Sequence, residues 1–352
     1  MLDLIESVSA AWQRGERAFL ATVVNVEGSA YRHEGARLLV LEDGSYQGMI
    51  SGGCLEPEIA ETTARLDLDL PIYRHFDLRD DSVFGLGMGC GGMVGVLIEE
   101  VCDRPDWRFW LDAFRHNRPV ARALVYESQR DDVSIGRFLV VGLEGHAGST
   151  GDVDLDRKIA EESLELLQER TRQALDLEVD SIRFLLDISQ PPPCLVVFGA
   201  GVDAVPVARL ARMAGFSVTV VDARSGLATQ ERFPEVRLLI LPPEEYEAVL
   251  LGPTSHVVIM HHHVAKDAVA LQQALAKECG YVGLLGPPHR FEKVWKLLAK
   301  EGALPSDEAL ARIDTPIGLD IGADGPEEIA LSIVAKLVAV RRSKVPSSKF
   351  QV

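Results

Sequence analysis

The stretch Leu195-Val196-Val197-Phe198-Gly199-Ala200-Gly201-Val202-Asp203-Ala204 predicts the fold of the C-terminal half of the chain. Its four leading apolar residues are typical of a strand buried on both faces of a parallel sheet. Gly199 and Gly201, followed by Ala204 and a helical pattern to Ala214, have the spacing of a dinucleotide-binding turn. The first glycine permits the turn, and the second lets the backbone approach a pyrophosphate. This stretch therefore indicates a Rossmann-like domain.

The acidic residue expected of a dinucleotide site stands at the end of the next apolar strand. Asp222 lies 23 positions after Gly199, where it could bind a ribose 2′-hydroxyl. Alternatively, Asp222 caps its strand and Arg224 neutralises its charge. The same glycine turn binds other nucleotides, or nothing, in other proteins. The sequence thus predicts the fold here and leaves the ligand open.

Strands and helices alternate through the rest of this half. The predicted elements are apolar strands at 257–260 and 282–285 and helical patterns at 264–277 and 290–300. Such alternation is typical of a parallel sheet covered by helices on both faces. We therefore expect an α/β fold with a C-terminal Rossmann-like, doubly wound parallel sheet.

Three consecutive prolines, 191–193, mark the clearest boundary in the sequence. Their fixed φ angles fit neither a helix nor a central strand. We expect an N-terminal domain over 1–190, as a smaller α+β unit with Gly/Cys loops, and the Rossmann-like domain over 191–352.

Three adjacent histidines, His261-His262-His263, follow the strand that ends at Met260. Ligands of open α/β sheets bind at the carboxyl ends of the strands, so at least one imidazole is expected at that edge. The alternative is an ordinary surface turn. The sequence lacks the cysteine and histidine spacings of zinc sites, the GxSxG elbow of hydrolases and the Walker lysine.

The N-terminal half carries a second motif, Ile50-Ser51-Gly52-Gly53-Cys54-Leu55-Glu56, between a predicted strand and a helical pattern that opens at Pro57. Glycines that end a strand let backbone amides point at a ligand, and a helix start lowers the pKa of an adjacent thiol. Cys54 is therefore a candidate ligand or nucleophile. The alternative is a tight turn with a small buried cysteine, as most free cysteines are. A second glycine cluster, 85–92, carries Cys90.

The remaining N-terminal elements are predicted from periodicity. Helices are predicted at 2–12 and 107–116, and strands at 18–26, 37–41, 46–51, 71–77, 93–99, 120–126 and 136–142. An acidic helical pattern over 157–175 has a small apolar face and is interpreted as a surface excursion. No internal repeat is visible in the sequence.

Composition limits the class of protein. The chain has 352 residues, is 47% hydrophobic, and carries 36 basic against 53 acidic residues for a formal charge of -17. This charge opposes binding to nucleic acid and to anionic membranes. Five cysteines without paired short spacings indicate reduced thiols. The acidic N-terminus and the absence of any apolar run of membrane length favour the cytoplasm.

Taken together, these motifs resemble those of the XdhC/CoxI family, accessory proteins that mature molybdenum hydroxylases such as xanthine dehydrogenase. The matching N-terminal pieces are 28–32, 35–40, 50–56 and 89–92. The matching C-terminal pieces are 197–204, 220–224, 258–260 with His262 and Asp267, 281–287 with Arg290, and 316–330. Several motifs in the same order make the resemblance more specific than any one motif.

The resemblance implies a chaperone that holds the molybdenum cofactor (molybdopterin) between the two domains rather than a catalyst. A cysteine desulfurase would supply the terminal sulfido ligand, and the apo-hydroxylase would receive the cofactor. A thiolate at Cys54 suits a soft, sulfur-bound metal, and glycine amides suit the phosphate. Arg32 and Arg37 could donate forked hydrogen bonds. The implied cofactor-binding residues are Cys54, which would bind the metal, with Gly52, Gly53, Glu56, Arg32, Arg37, Cys90, Gly199, Gly201, Asp222 and His262.

Two other functions remain open at this point. One is an NAD(P)-dependent oxidoreductase that uses Cys54 and His262, with the nucleotide in the Rossmann-like domain. The other is a regulatory scaffold that binds the hydroxylase and no small molecule. The expected assembly is a homodimer, without nucleic acid or membrane as a partner.

Overall fold

A computed structural model of the chain describes residues 2–65, 71–78, 92–169, 172–300, 306, 310 and 312–342. The chain divides into two compact units, the first over Met1–Pro191 and the second beginning at Pro192. The N-terminal unit, expected to be the smaller one, is the longer of the two.

The first unit contains two five-stranded sheets in which all neighbouring strands are antiparallel. The elements up to the end of the first sheet are α1 (Leu2–Arg14), β1 (Ala18–Glu27), β2 (Arg37–Leu41), β3 (Tyr46–Gly48), α2 (Glu56–Arg65), β4 (Ile72–Asp77) and β5 (Met93–Glu100). The elements of the second sheet are α3 (Pro105–Arg115), β6 (Val120–Ser128), β7 (Phe138–Gly142), β8 (Gly145–Ser149), α4 (Val153–Gln168), β9 (Gln173–Val179) and β10 (Ile182–Ser189).

The two sheets are copies of one structural repeat. The strand orders are β3-β2-β1-β5-β4 and β8-β7-β6-β10-β9, and each copy follows the element order αβββαββ. The register shift of the β1–β5 pair lies after Val23, and that of the β6–β10 pair lies at the equivalent Val125. Each of these valines also accepts a hydrogen bond from a glycine amide, of Gly35 and Gly136 respectively. The repeat is thus visible in the fold, although none is visible in the sequence.

Helix α4 is part of the core, and its interpretation as a surface excursion was wrong. Leu155, Ile159, Leu166 and Leu167 are buried in one cluster with residues of β6, β7 and β10. They recur at helical spacing, so a narrow apolar stripe is enough to seat an otherwise acidic helix. The helix ends at Gln168, and β8, β9 and β10 are strands that the periodicity did not predict.

Charged side chains lie among the aromatic residues of this first unit. Arg122 forms a buried ion pair with Glu99, and its guanidinium lies 4.5 Å from the ring centroid of Trp107 and 5.1 Å from that of Trp110. The guanidinium of Arg37 also lies close to this group, 4.7 Å from the Trp110 centroid. Cation–π contacts of this kind favour a guanidinium over an ammonium at these positions.

The second unit is a Rossmann-like domain. Its elements are β11 (Cys194–Phe198), α5 (Ala204–Met213), β12 (Ser217–Val221), β13 (Arg237–Leu239), a 3-10 helix (Pro243–Ala248), β14 (His256–Ile259), α6 (Val264–Ala276), β15 (Tyr281–Leu284), α7 (Pro288–Lys300), β16 (Ile313–Asp314) and α8 (Gly325–Arg342). The six strands are parallel in the order β13-β12-β11-β14-β15-β16. This is the order of a doubly wound nucleotide-binding sheet.

Alternate residues of β11 pack into two separate cores, which places helices on both faces of the sheet. Leu195 and Val197 belong to the cluster with α5 and α8, whereas Val196 and Phe198 belong to the cluster with α6 and α7. The predicted α/β fold class, with a C-terminal doubly wound sheet, is confirmed. Of the helices in the described part of the chain, none has both the length and the apolar character needed to cross a bilayer.

Candidate functional site

The loop between β3 and α2 presents the Cys54 thiol to solvent. Gly52 and Gly53 adopt left-handed φ angles of +84° and +108°. A Cβ at Gly52 would lie 3.3 Å from the ring of Tyr31, which is a tight contact with an exposed side chain, while the space around Gly53 is open. The two glycines therefore allow a turn that leaves Cys54 and Tyr31 on the surface.

The carboxylate of Glu56 lies inside this loop. Its Oε1 accepts hydrogen bonds from the amides of Ile50 and Ser51, both at 2.8 Å, and its Oε2 accepts from Gly53 at 3.0 Å and from the Ser51 hydroxyl. Burial raises the pKa of this carboxyl, but hydrogen bonds from Ser51 and the Ile50 amide outweigh burial and lower the pKa to about 2. Glu56 is therefore ionised at neutral pH.

Ser51 connects Glu56 to Cys54. While its hydroxyl donates to Glu56, its Oγ accepts from the amide of Cys54 at 3.1 Å and from that of Leu55 at 2.7 Å. The amide of Gly53, one of the glycine amides expected to face a cofactor phosphate, thus donates inside the loop, as does the amide of Cys54. Glu56 itself is only 2% exposed. Its oxygens are turned inward onto the loop, so the expected contact with a cofactor stays a prediction and would require these hydrogen bonds to be displaced.

The two predicted arginines have different surroundings. Arg32 is exposed beside Tyr31. The side chain of Arg37 is only 8% exposed, forms an ion pair with Asp187 and stacks on Trp110. A cofactor that took hydrogen bonds from Arg37 would therefore compete with its counter-charge Asp187, and the role of Arg37 as a cofactor donor stays a prediction. Cys90 lies outside the described residues.

The glycine turn of the second unit lies at the carboxyl edge of the sheet, between β11 and β14. Gly199 has a φ of +115°, and a Cβ there would lie 2.7 Å from the carbonyl oxygen of Met260. Glycine is thus required at this position by close approach to the neighbouring strand. Around Gly201 the nearest atom to such a Cβ is His262 Cδ2 at 3.9 Å, which is an ordinary contact.

Asp222 connects this turn to the next loop. Its Oδ2 accepts from the Ala200 amide at 2.7 Å, and Arg224 donates to both carboxylate oxygens at 2.9 and 2.7 Å. Burial raises the pKa of the carboxyl, and the Arg224 and Ala200 hydrogen bonds more than reverse this effect, so the pKa is lowered. The side chain has no exposed surface. A ribose hydroxyl would therefore have to displace contacts that Asp222 already makes.

His262 is one of the two exposed histidines of the triplet. It has a left-handed φ of +59°, and its Nε2 lies 3.0 Å from Oδ2 of Asp203 at the start of α5. Arg232 donates to the carbonyl oxygens of Ala200 and Gly201 at 2.9 and 3.1 Å, which fixes the turn from its other side. The structure thus brings Gly199, Gly201, Asp222 and His262 to one sheet edge.

His261 belongs to a buried network that the sequence analysis did not identify. Its Nε2 lies 2.8 Å from the Tyr246 hydroxyl and its Nδ1 lies 3.2 Å from Asp267, which also accepts from Arg290. His263 instead caps α6. The available sequence signal for this network was Asp267, an acid in the first turn of the helix that follows the histidines. For the Cys54 loop, the available signal was Ser51, which precedes α2 and is followed by Glu56.

Within the described residues, no three His, Cys, Asp or Glu side chains are grouped so that they could hold a metal ion together.

Comparisons with known proteins match both halves of the chain. The XdhC Rossmann domain matches residues 195–337, and the XdhC and CoxI family matches residues 11–67. A protein of Bacillus subtilis, named as a probable xanthine dehydrogenase subunit, is 32% identical over 337 residues, which cover 93% of this chain and 94% of the relative. The molybdenum cofactor insertion chaperone PaoD of Escherichia coli is 22% identical over 334 residues, 94% of this chain and 86% of PaoD.

A solved structure agrees over nearly the full length. The crystal structure of a xanthine dehydrogenase from Bacillus halodurans matches with a TM-score of 0.77 and 31% identity, covering 99% of this chain and 98% of that chain. The identity and coverage of the Bacillus subtilis relative extend through both units. The chain belongs to the XdhC and CoxI family.

Proposed function

We propose that this protein holds the molybdenum cofactor through Cys54 and assists its insertion into a xanthine dehydrogenase-type molybdenum hydroxylase. A relative of nearly equal length is named a molybdenum cofactor insertion chaperone, and another is named as part of a xanthine dehydrogenase. Both names support a role in maturation of such an enzyme.

The observation that carries the proposal is the exposed thiol of Cys54 on a loop whose other polar groups bind one another. A soft sulfur ligand fits a metal that already carries sulfur ligands, and the open space over Gly53 leaves room for a bulky group. The ring of exposed Tyr31, in the loop between β1 and β2, lies against Gly52, and exposed Arg32 follows it in the chain. Both side chains could contact the pterin or its phosphate. When bound, the cofactor supplies the redox-active metal centre of the recipient enzyme.

The Rossmann-like unit serves in this proposal as a docking scaffold or as the site of an appended nucleotide. The alternative function, an NAD(P)-dependent oxidoreductase, has less support because the oxygens of Asp222 bind Arg224 and Ala200 and the side chain has no exposed surface.

The test is molybdenum retention. The wild-type chain, purified without oxygen from cells that make the cofactor, is expected to carry molybdenum and pterin, and Cys54→Ala is expected to carry at least tenfold less. Cys102→Ala is the matched control, because Cys102 is a partly buried thiol of the same unit. A Cys54→Ala protein that retains and delivers the cofactor as well as wild type would refute the role of the thiol.

Further measurements separate the finer parts of the proposal. Activation of an apo-hydroxylase by the loaded protein tests delivery, and sulfur released by cyanide after treatment with a cysteine desulfurase and L-cysteine tests sulfuration on this chain. Tight binding of NAD(H) with hydride transfer, without molybdenum retention, would favour the oxidoreductase. Light scattering tests the homodimer, and Cys90→Ala tests the second thiol by the same molybdenum analysis.

A further inference from the structure

The loop that carries Cys54 has an equivalent in the second copy of the repeat. There Asp156, in the first turn of α4, accepts from the Thr150 amide at 2.8 Å and hydroxyl at 2.7 Å, and from the Ser149 hydroxyl at 2.6 Å. In the first copy, Glu56 accepts from the amide and hydroxyl of Ser51 in the same way. Each carboxylate lies in the first turn of its helix and turns back onto the loop before it.

The helices that follow are equivalent as well. Glu56 precedes Ile59-Ala60-Glu61 by three positions, and Asp156 precedes Ile159-Ala160-Glu161 by three positions. Ile59 and Ile159 are both buried in the core of their sheet. The carboxylate thus has the same place in both copies relative to the buried face of its helix.

The second loop holds its carboxylate in this place without any cysteine. Residues 149–155 are Ser-Thr-Gly-Asp-Val-Asp-Leu. The carboxylate contact therefore belongs to the architecture of the repeat and occurs where there is no thiol to bind a cofactor. A group that has the same contacts in both copies is explained by loop shape, not by the ligand of one copy.

We infer that Glu56, acting through Ser51, is a positioning residue that fixes the loop so that Cys54 points into solvent, and that Glu56 does not touch the cofactor. The inference rests on the proposed function, since Cys54 is the cofactor ligand there. In this inference the thiol of Cys54 binds the metal, and the carboxylate of Glu56 fixes the conformation of the loop.

The substitution Glu56→Gln separates charge and acceptor capacity from shape. Ser51 Oγ already accepts from Cys54 and Leu55, so its hydroxyl proton must be donated to Glu56. A glutamine that keeps the Ile50 and Ser51 amides on its oxygen presents an NH₂ group to the Ser51 hydroxyl and the Gly53 amide. Two donors then lack an acceptor, which is unfavourable in a site excluded from water.

Hydrogen exchange and molybdenum content test the inference together. In Glu56→Gln, amides of residues 50–55 are expected to exchange about tenfold faster or more, as the loss of one buried hydrogen bond implies, and molybdenum per chain to fall about tenfold. Glu58→Gln removes the same charge from an exposed position two residues away and is expected to change neither. If Glu56→Gln does not fold, Ser51→Ala replaces it with the same expected direction.

Asp156→Asn is the control that separates positioning from general stability. It is expected to speed exchange at residues 149–152 and to leave molybdenum content unchanged. The inference is overturned if Glu56→Gln retains as much molybdenum as Glu58→Gln, or if Asp156→Asn loses as much as Glu56→Gln. A wild-type chain that binds no molybdenum would overturn the proposed function, while the exchange results would still report on the loop.

Discussion

Replacing Glu99 by glutamine should destabilise the N-terminal unit strongly. Arg122 donates to both oxygens of Glu99 at 2.7 and 2.8 Å, and the two side chains are only 2% and 5% exposed. Glutamine preserves the volume but leaves the guanidinium without its counter-charge, which costs about 3–5 kcal/mol in buried pairs. The rings of Trp107 and Phe138, 4.5 and 4.0 Å from the guanidinium, contact it in both proteins and so do not change this difference.

The expected loss is therefore about 3–5 kcal/mol of unfolding free energy, which lowers Tm by roughly 6–20 °C for a unit of this size. Urea unfolding followed by tryptophan fluorescence measures it directly, because Trp107 and Trp110 flank Arg122. Glu127→Gln is the control: it breaks a partly exposed pair with Arg183, worth less than about 1 kcal/mol. A loss of under about 1 kcal/mol in Glu99→Gln would refute the reasoning that the Arg122 charge depends on Glu99.

Three further predictions concern glycine, a buried thiol and acid stability. Gly199→Ala should lower the free energy of unfolding by roughly 2–5 kcal/mol, because Gly199 has a left-handed φ and a Cβ there would contact Met260. In thermal unfolding, Gly201→Ala should behave like wild type, and equal losses in the two variants would contradict this reasoning. Burial raises the pKa of the Cys279 thiol to about 11, above its unfolded value. The contribution of the protonated thiol to the free energy of unfolding is therefore complete below about pH 8.5 and is lost as pH rises toward 11. Urea unfolding of Cys279→Ala at increasing pH should lack this loss of stability. The pKa of Glu56 is lowered to about 2, so the contribution of its ionised carboxylate to the free energy of unfolding is complete above about pH 5 and is lost as pH falls toward 2. Wild type and Glu56→Gln should therefore converge in Tm only in strong acid.

The Rossmann-like unit was predictable because its central strands β11, β14 and β15 are nearly continuous apolar runs. Val196 and Val197 face different cores, so β11 shows no alternation of polar and apolar residues. Parallel strands with short loops also bring their carboxyl ends to one edge, which is why Gly199 and His262 could be placed near each other from sequence alone. The hydrogen-bond partner of Asp222 was not predictable, because a ribose hydroxyl and the guanidinium of Arg224 are both suitable donors to its carboxylate.

In the N-terminal unit the Cys54 loop could be predicted from the sequence, but the contacts of the residues around it could not. The glycines at 52 and 53 predict a turn. The inward orientation of Glu56 depends on hydrogen bonds from the amides of Ile50 and Gly53, which come together only once the turn has formed. Arg37 stands beside the motif residues in sequence, although its counter-charge, Asp187, is 150 positions away. Long-range partners of this kind leave no local pattern. Strand β8, Gly145–Ser149, is glycine-rich and mostly exposed, so it has no apolar period.

The repeated αβββαββ fold also has an evolutionary meaning. Two copies with the same strand order and the same register shift are most simply explained by duplication of an ancestral gene segment. After such an event one copy can gain a reactive group while its sibling maintains the shared framework. The loop at 149–155 is then a natural place for protein engineers to graft a thiol and ask whether the framework alone suffices for metal capture.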